Sequence, residues 1–444
     1  MIDLSIDDGI ATIIWNVADR PMNVLNDASI GAFESAVRRI IADQEVKGVI
    51  ISSSRPEFVV GADLDTLRGI DDPAKAMKIA GRLSLLFREI ETAGKPFVAA
   101  INGSALGGGY EICLACHYRL AADNPKTQIG LPEVTLGLLP GAGGTQRLPR
   151  MIGLKNALPM LMEGRKVGVA KAREMGLVDE VVPAGGLMAR ARQWLLADGA
   201  ANVVKSWDKK GFRLPGGDVQ SPPSWQLFLG VGAALRGKTA GLYPAPAAIM
   251  ESVYDGCHVD IDTGLKIENR QFARLAVSPQ AQNMIRTLFY AIGDANKLIG
   301  RPQAVPVQAY RKIGVLGAGM MGAGIAHVSA EAGLDVILID QSQAAAEKGK
   351  RYSAKLLEKL VQQGRITSDK HADDQLWSAR RRRHCDRSRV RGPRREGRSD
   401  PRFRTCSAAV GDFRQQHVDA ADYESGRSIA TSSEFRWFAF LLAG

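Results

Sequence analysis

The sequence of 444 residues predicts an α/β protein: a layered domain of about 200 residues, then a helical region, then a second unit that begins with a strand, a turn and a helix. Three observations predict this architecture. Apolar runs typical of buried strands alternate with helical patterns as far as about residue 200. Residues 205–247 are rich in proline and glycine, and 265–299 have a mostly helical pattern. A new strand then leads into a glycine-rich turn at 317–322.

Composition excludes several classes of protein. The chain is 45% hydrophobic and 24% charged, which is typical of a globular chain with two or three domains. The first residues lack the charged and apolar pattern of a signal peptide, and the sequence has no stretch of ~20 apolar residues, so we expect a cytoplasmic protein with no membrane partner. Cys113 and Cys116 are spaced as CxxC but lack the second pair of a zinc site. We therefore expect small core residues here and no metal site.

The first 200 residues contain the elements of a helix-covered sheet. Three apolar runs, at 10–17, 46–54 and 95–103, have the composition of buried strands. Two segments between them, at 27–42 and 74–93, have the spacing of amphipathic helices. This alternation predicts layers of strands and helices around one core.

The first chemical signal is the segment "NGSALGGGYE" at residues 102–111. An Asn-Gly turn follows a buried strand, and three glycines then lead into an apolar helix. Glycines let a ligand approach the backbone, and N–H groups at the start of a helix suit a developing oxyanion. Glu111 lies just past the glycines on an apolar side of this helix, where a carboxylate is either a solvated helix-end residue or a poised acid or base.

Two further segments accompany it. "FVVGADL" has a second glycine-bounded turn at Ala62, and "LPEVTLGLLPGAGGTQRLPR" places Glu133 after a proline. In this order and spacing the three segments resemble the crotonase (enoyl-CoA hydratase/isomerase) superfamily over about residues 5–190. The resemblance implies a ClpP/crotonase-like spiral fold, a coenzyme A thioester substrate, oxyanion-hole amides at Ala62 and Gly108, and catalytic glutamates at Glu111 and Glu133. The presence of both glutamates favours hydration over double-bond migration alone.

The second chemical signal is the segment at 312–340, "KIGVLGAGMMGAGIAHVSAEAGLDVILID". Gly317, Gly319 and Gly322 form a GxGxxG pattern between a strand and a helix, and Asp340 ends the next strand. This context is the dinucleotide fingerprint of a Rossmann domain, in which glycines admit a pyrophosphate at a helix N-terminus and the acid binds the ribose hydroxyls. The acid favours NAD over NADP.

This second segment resembles the N-terminus of 3-hydroxyacyl-CoA dehydrogenase, which implies that Met321 and Asp340 contact NAD. The order of domains resembles the multifunctional α subunit of fatty acid β-oxidation complexes. That resemblance implies an acyl-CoA substrate and a thiolase β subunit as partner, and it leaves a homo-oligomer open. We therefore predict a hydratase domain at 1–200, a helical linker at 201–305 and part of an NAD-binding domain at 306–374.

Residues 375–444 have a different composition. From residue 376 there are 15 arginines, no lysine and 8 acidic residues, and no leucine lies between Trp377 and Phe440. Such a segment lacks the periodic apolar positions of a packed element, so we expect a disordered tail. Arginines bind phosphate backbones, but base-reading motifs and interleaved aromatics are missing, so we expect no nucleic-acid partner.

A frameshift near residue 375 explains this tail. With suitable synonymous codons, residues 413–426 read one base later give FASNTSTLPITSL, and residues 433–444 contain NFVGLHFFSP. Both strings resemble the continuation of the dehydrogenase family, including the stretch with its catalytic histidine. The hypothesis is that the chain derives from a longer gene, so His384 and His417 belong to the wrong frame and are not catalytic.

The sequence thus predicts an enoyl-CoA hydratase of fatty acid β-oxidation, with or without isomerase activity, in a chain whose dehydrogenase half is incomplete and inactive and whose NAD binding is weak or lost. Two alternatives stay open here. One is a non-catalytic acyl-CoA or NAD binder, which an assay with a short 2-enoyl-CoA would separate. The other is a nucleic-acid binder, for which retention on DNA that depends on salt and on the tail would be the sign.

Overall fold

The computed structural model describes residues 2–17, 20–302, 304–305 and 309–362. The predicted tail and the end of the predicted NAD-binding segment lie outside these residues. Contacts divide the chain into two units, with the boundary between Arg301 and Pro302. Among the described residues no helix is long and apolar enough to cross a membrane.

The first unit contains nine strands and thirteen α-helices among its described residues. The strands are β1 (Ile2–Asp7), β2 (Ile10–Trp15), β3 (Gly48–Ser53), β4 (Phe97–Ile101), β5 (Ala105–Leu106), β6 (Tyr118–Ala122), β7 (Ile129–Gly130), β8 (Lys166–Val167) and β9 (Glu180–Val182). The helices are α1 (Asp27–Ala42), α2 (Leu64–Arg68), α3 (Pro73–Thr92), α4 (Gly108–Ala115), α5 (Gly144–Ile152), α6 (Leu154–Glu163), α7 (Val169–Glu174), α8 (Leu187–Ala197), α9 (Pro222–Thr239), α10 (Pro244–Gly256), α11 (Ile261–Ala276), α12 (Pro279–Met284) and α13 (Ile292–Asn296). A 3₁₀ turn covers Glu133–Leu136, and a π-helix, Ile285–Ala291, joins α12 to α13.

The strands form two sheets. The larger has the order β1-β2-β3-β4-β6-β9, in which β1 and β2 are antiparallel and the other neighbours are parallel. The smaller has the order β5-β7-β8, in which β5 and β7 are parallel. The three buried strands that the sequence predicts are confirmed as β2, β3 and β4, and the two predicted helices as α1 and α3.

Local sequence explains where these two helices begin. The Asn26 side chain accepts from Ser29 N–H, and the Ser29 hydroxyl accepts from Asn26 N–H, which is a reciprocal capping box. Before α3, the Asp72 carboxylate accepts the first free N–H groups, and Pro73 has no N–H to satisfy. Both helices then contribute one apolar face to the main core, which also contains side chains from the large sheet.

The large sheet is buried on both faces because its strands place apolar side chains alternately on each side. On one face, Ile13, Val49 and Ile51 belong to the main core, with α1, α3 and α4. On the other, Ile50 and Val98 pack with apolar residues of α8 in a smaller core. The CxxC cysteines are confirmed as fully buried core residues.

The helices predicted as a linker pack against the hydratase-like region. Helix α11 lies along α3, where Ser84 Oγ donates to Asn269 Oδ1 at 3.0 Å and Arg88 pairs with Asp262 at 2.8 Å. Among the described residues, contacts do not separate 201–301 from the preceding segment. This region is therefore part of the first unit and shapes its interior.

The second unit, over its described residues, is a short βαβα arrangement. It contains β10 (Lys312–Leu316), α14 (Met320–Glu331), β11 (Asp335–Ile339) and α15 (Gln343–Gln362). The two strands are parallel and in register from Lys312 and Asp335 onward. Val315, Ala326 and Val336 form its small buried core.

Candidate active site

Three parallel segments end at the same edge of the first unit. An isolated bridge pairs Val59 with Ala105 in β5, and β5 pairs with β7 on its other side. Each segment runs on for a few residues past this pairing, the first to Ala62, the second to Gly108 and the third to Glu133. The smaller sheet therefore brings together three residues that the sequence predicts for the site.

A glycine in the left-handed region precedes each predicted oxyanion-hole amide. Gly61 has φ 105° and Gly107 has φ 55°, conformations that L side chains rarely adopt. Ala62 is bridged to Leu25 through the groups of its neighbours Gly61 and Asp63, and Gly108 begins α4. Among the described residues, neither the Ala62 N–H nor the Gly108 N–H has a hydrogen-bond acceptor. The two amides are thus available to a ligand oxygen.

Neighbouring atoms leave no room for a side chain at Gly107 or Gly109. A Cβ on Gly107 would lie 2.7 Å from Glu133 Oε1 and 3.6 Å from Gly61 Cα. A Cβ on Gly109 would lie 2.0 Å from the Val59 carbonyl oxygen. Substitution at either position would therefore force the two walls of the site apart.

Glu111 is a buried carboxylate in the first turn of α4. Its Oε1 accepts from Ala142 N–H at 2.8 Å and from Gly144 N–H at 2.7 Å. Its Oε2 lies 3.9 Å from the position of a Cβ on Gly108. Burial raises the pKa of Glu111 to about 7, although the two N–H donors and Arg147 act in the opposite direction.

Glu133 begins the 3₁₀ turn after β7. Its Oε1 lies against Gly107, whereas its Oε2 is enclosed and has no hydrogen-bond partner among the described residues. Burial, followed by repulsion from Glu111 and Glu268, raises the pKa of Glu133 well above its usual value. A carboxyl group in this setting favours its protonated form.

The structure thus brings together all four residues predicted for the hydration site. Two carboxyl groups with raised pKa values, on Glu111 and Glu133, lie beside the glycines that shape the pair of available N–H groups at Ala62 and Gly108. Such an arrangement can hold an anionic oxygen, orient a water and transfer a proton next to it.

Glu268 is a third buried carboxylate that sequence reasoning missed. It lies on α11, and its oxygens accept from Gly143 N–H, Thr145 N–H and Thr145 Oγ. Burial, followed by repulsion from Glu111, raises the pKa of Glu268 to about 8. The sequence does contain a signal for this residue. Glu268 lies between Leu265 and Phe272 on the apolar stripe of α11, where an amphipathic helix normally carries an apolar residue.

A buried ion pair supports the loop between these carboxylates. Arg147 donates to both oxygens of Glu91, at 2.6 and 3.1 Å, and also to the Ala142 carbonyl at 2.8 Å. Both side chains of the pair are fully buried. Because Glu91 balances its charge, Arg147 does not neutralise the three glutamates completely.

The second unit places its glycine fingerprint as the sequence predicts, between β10 and α14. Gly317 has φ 89°, and a Cβ on Gly322 would lie 1.7 Å from the Gly317 carbonyl oxygen. Around Gly317 and Gly319 no atom of the described residues would meet a Cβ within 4 Å. The turn therefore has the open backbone surface that a pyrophosphate requires, and Met321 beside it is exposed.

Asp340 follows β11 at the edge of this turn. One carboxylate oxygen accepts from Ala318 N–H at 2.6 Å, and the other accepts from Gln341 N–H at 2.6 Å. The acid is thus fixed next to the glycine turn, where a ribose would lie. These residues fit the pyrophosphate-ribose half of NAD.

Two family profiles match the chain. The enoyl-CoA hydratase/isomerase profile matches residues 6–209, and that of the 3-hydroxyacyl-CoA dehydrogenase NAD-binding domain matches 312–384. The first confirms the crotonase-like fold and the second the partial Rossmann domain. The second match extends ten residues beyond the predicted end of the NAD-binding segment at 374.

Curated relatives match the chain over most of its length. The fatty acid oxidation complex subunit alpha of Shewanella halifaxensis is 37% identical over 363 residues, covering 81% of this chain and 51% of that protein. That of Shewanella frigidimarina is 37% identical over 373 residues, covering 81% and 50%. Among solved structures, enoyl-CoA hydratase from Bacillus anthracis is 26% identical with a TM-score of 0.42, covering 67% of this chain and 96% of that chain.

The chain spans about half the length of the curated relatives it matches. It is homologous over 81% of its length to fatty acid oxidation complex α subunits, and it joins an enoyl-CoA hydratase/isomerase domain to part of a 3-hydroxyacyl-CoA dehydrogenase NAD-binding domain.

Proposed function

We propose that the first unit adds water to the double bond of a 2-enoyl-CoA thioester. One observation carries the proposal: two buried carboxyl groups, of Glu111 and Glu133, lie beside the Ala62 and Gly108 N–H groups, which lack acceptors among the described residues. Two N–H donors alone would serve many thioester reactions. A carboxylate that can hold water together with a carboxylic acid favours hydration.

The two N–H groups would bind the thioester oxygen. This oxygen gains negative charge as the enolate forms, and donors fixed by the backbone stabilise that charge without reorganisation. The Gly108 N–H also lies at the N-terminus of α4, where the helix dipole favours an anion. Removing one such donor typically costs ~100-fold or more in rate.

Glu111 would act as the base. Two N–H donors on Oε1 stabilise its anion, while Oε2 faces Gly108 and is left to accept a proton from water. As the water oxygen bonds to Cβ of the substrate, the electrons of the double bond move toward the thioester oxygen. The water proton passes to Glu111 Oε2.

Glu133 would act as the acid. Its pKa is raised well above its usual value by burial and by the neighbouring glutamates, which favours the protonated form that an acid needs. Transfer of that proton to Cα converts the enolate into the 3-hydroxyacyl thioester. A proton passing from Glu111 to Glu133 through water restores the starting state.

The test is to replace each glutamate by glutamine and follow hydration of a short 2-enoyl-CoA. Glutamine keeps the shape and removes the titrating group, so we expect a loss of ~100-fold or more for Glu111→Gln and for Glu133→Gln. Glu174→Gln, an exposed residue of α7, is the matched control and should keep wild-type turnover. Wild-type turnover in either site variant would contradict the assignment.

Partner binding is a separate proposal. The relatives are named as α subunits of a complex, and we infer a thiolase subunit as the partner of this chain too. Co-purification with a co-expressed thiolase subunit would test it, and elution of the two proteins as separate species would contradict it.

A further inference from the structure

Two carboxylates from different helices divide four successive N–H groups between them. Glu111 of α4 accepts from Ala142 and Gly144, and Glu268 of α11 accepts from Gly143 and Thr145. The distances from the backbone nitrogens of Ala142, Gly143, Gly144 and Thr145 to their carboxylate oxygens are 2.8, 2.5, 2.7 and 2.9 Å. The loop that donates to Glu111 is thus also held by Glu268.

Glu268 has no exposed surface, and several elements face it. From α5 come the Thr145 hydroxyl and the charges of Arg147 and Arg150. From α4 and the 3₁₀ turn come Glu111 and Glu133. From α10, the Ser252 hydroxyl bonds the Thr145 hydroxyl at 2.9 Å, which extends the network.

We propose that Glu268 is a positioning residue for hydration: it fixes loop 142–145 so that Glu111 presents Oε2 toward Gly108, and once it is ionised its carboxylate adds a third negative charge behind the Glu111 and Glu133 pair. This proposal rests on the hydration function proposed above. It assigns the residue no contact with substrate, because Glu268 acts through the N–H groups that it holds.

Geometry gives the first consequence. Glutamine at 268 keeps one acceptor oxygen, but its amide NH₂ would face a donor, so either Gly143 or Thr145 loses its partner. The loop then relaxes, and Glu111 shifts with it. Displacements of about 1 Å in such sites cost up to ~100-fold in rate.

Charge gives the second consequence. Negative charge on Glu268 raises the pKa of Glu133, and repulsion between carboxylates acts in both directions. When that charge is removed, the pKa of Glu133 falls. The alkaline side of the pH profile of hydration should therefore move to lower pH.

The experiment compares Glu268→Gln with Glu251→Gln, an isosteric change at a half-exposed residue of α10. We expect kcat of Glu268→Gln to fall ~10- to 100-fold with KM nearly unchanged, and the alkaline side of its pH profile to move to lower pH. Glu251→Gln should match the wild type. A folded Glu268→Gln protein with wild-type kcat and an unmoved profile would reduce Glu268 to a structural residue and overturn the proposal.

Two further measurements keep the test decisive. If Glu268→Gln does not fold, Thr145→Val provides a second variant. It keeps both N–H donors of Glu268 and removes the hydroxyl donor, together with the hydroxyl's contacts to Ser252 and Gln146, so it should shift the profile the same way by a smaller amount. NMR titration of ¹³C-labelled glutamate carboxyls in the full chain needs no turnover. If the wild-type protein does not hydrate 2-enoyl-CoA, the proposed function fails. If the titration of the Glu111 and Glu133 carboxyls is unchanged in the variants, the role proposed for Glu268 is wrong, whatever the activity.

Discussion

At the scale of single residues, Gly108 shows how closely a neighbouring side chain packs against the backbone of the candidate site. A Cβ here would lie 2.5 Å from Leu25 Cδ1, so a larger side chain must displace its neighbour or enter the site. We expect Gly108→Val to abolish detectable hydration, because the N–H that it carries would no longer meet the thioester oxygen.

The control for Gly108→Val is Cys113→Ala on the same helix. Cys113 is fully buried, and its truncation should trim packing and leave turnover intact. Hydration assays with circular dichroism as a check of folding separate the two effects. If Cys113 proved essential and Gly108 dispensable, the site would lie elsewhere.

The pKa values of the two glutamates predict a bell-shaped pH dependence. Hydration needs Glu111 ionised, and its pKa is raised to about 7, so the rate should fall as the pH drops below about 7. It also needs Glu133 protonated, so the rate should fall again as the pH rises through the pKa of this group, which lies well above its usual value. Steady-state kcat measured across this range checks the prediction. A flat profile, with the enzyme stable throughout, would contradict it.

At the scale of elements, the sequence predicts strands and turns well and distant contacts poorly. The strand before residue 102 and the glycine run fix α4 and the Gly108 amide locally, and Glu111 follows within one turn. The position of Glu268 depends instead on the packing of α11 beside α5. Its hydrogen bonds join residues that are separated by 123 to 125 positions in the sequence. Periodicity predicts that α11 is helical, but it does not say which loop its buried charge will meet.

The predicted linker shows the same limit. Proline and glycine around 205–247 indicate a break in regular structure, yet the structure has helices α9 and α10 within much of this stretch and beyond it. Helix α10 is stabilised by packing against α5, α6 and α11. The local sequence does not predict these contacts.

At the scale of the whole molecule, the second unit supports only part of a dehydrogenase. Its described residues provide β10 and β11 with the pyrophosphate turn, whereas a dinucleotide extends over a sheet with two mononucleotide halves. Leu316 and Met320 are among its exposed apolar residues, consistent with a face that further strands or helices would cover. The frameshift hypothesis places the missing half, including the histidine base, out of frame.

We therefore expect this chain to form no NADH from 3-hydroxyacyl-CoA and NAD while hydrating 2-enoyl-CoA in the same sample. NADH absorbance and loss of the enoyl chromophore can be followed together, and a full-length relative provides the positive control. Robust NADH formation would refute both the frameshift and the incomplete domain. Sequencing the transcript around codon 375 tests the frameshift directly.

The shared loop at 142–145 also sets an order of events during synthesis. By the time residue 200 has been made, the nascent chain holds both glutamates of the hydration site and all four N–H groups. The carboxylate that satisfies two of those N–H groups is still 68 residues from being added. We therefore expect loop 142–145 to gain its full set of acceptors only after α11 has left the ribosomal tunnel, when the segment that matches the hydratase profile has already emerged.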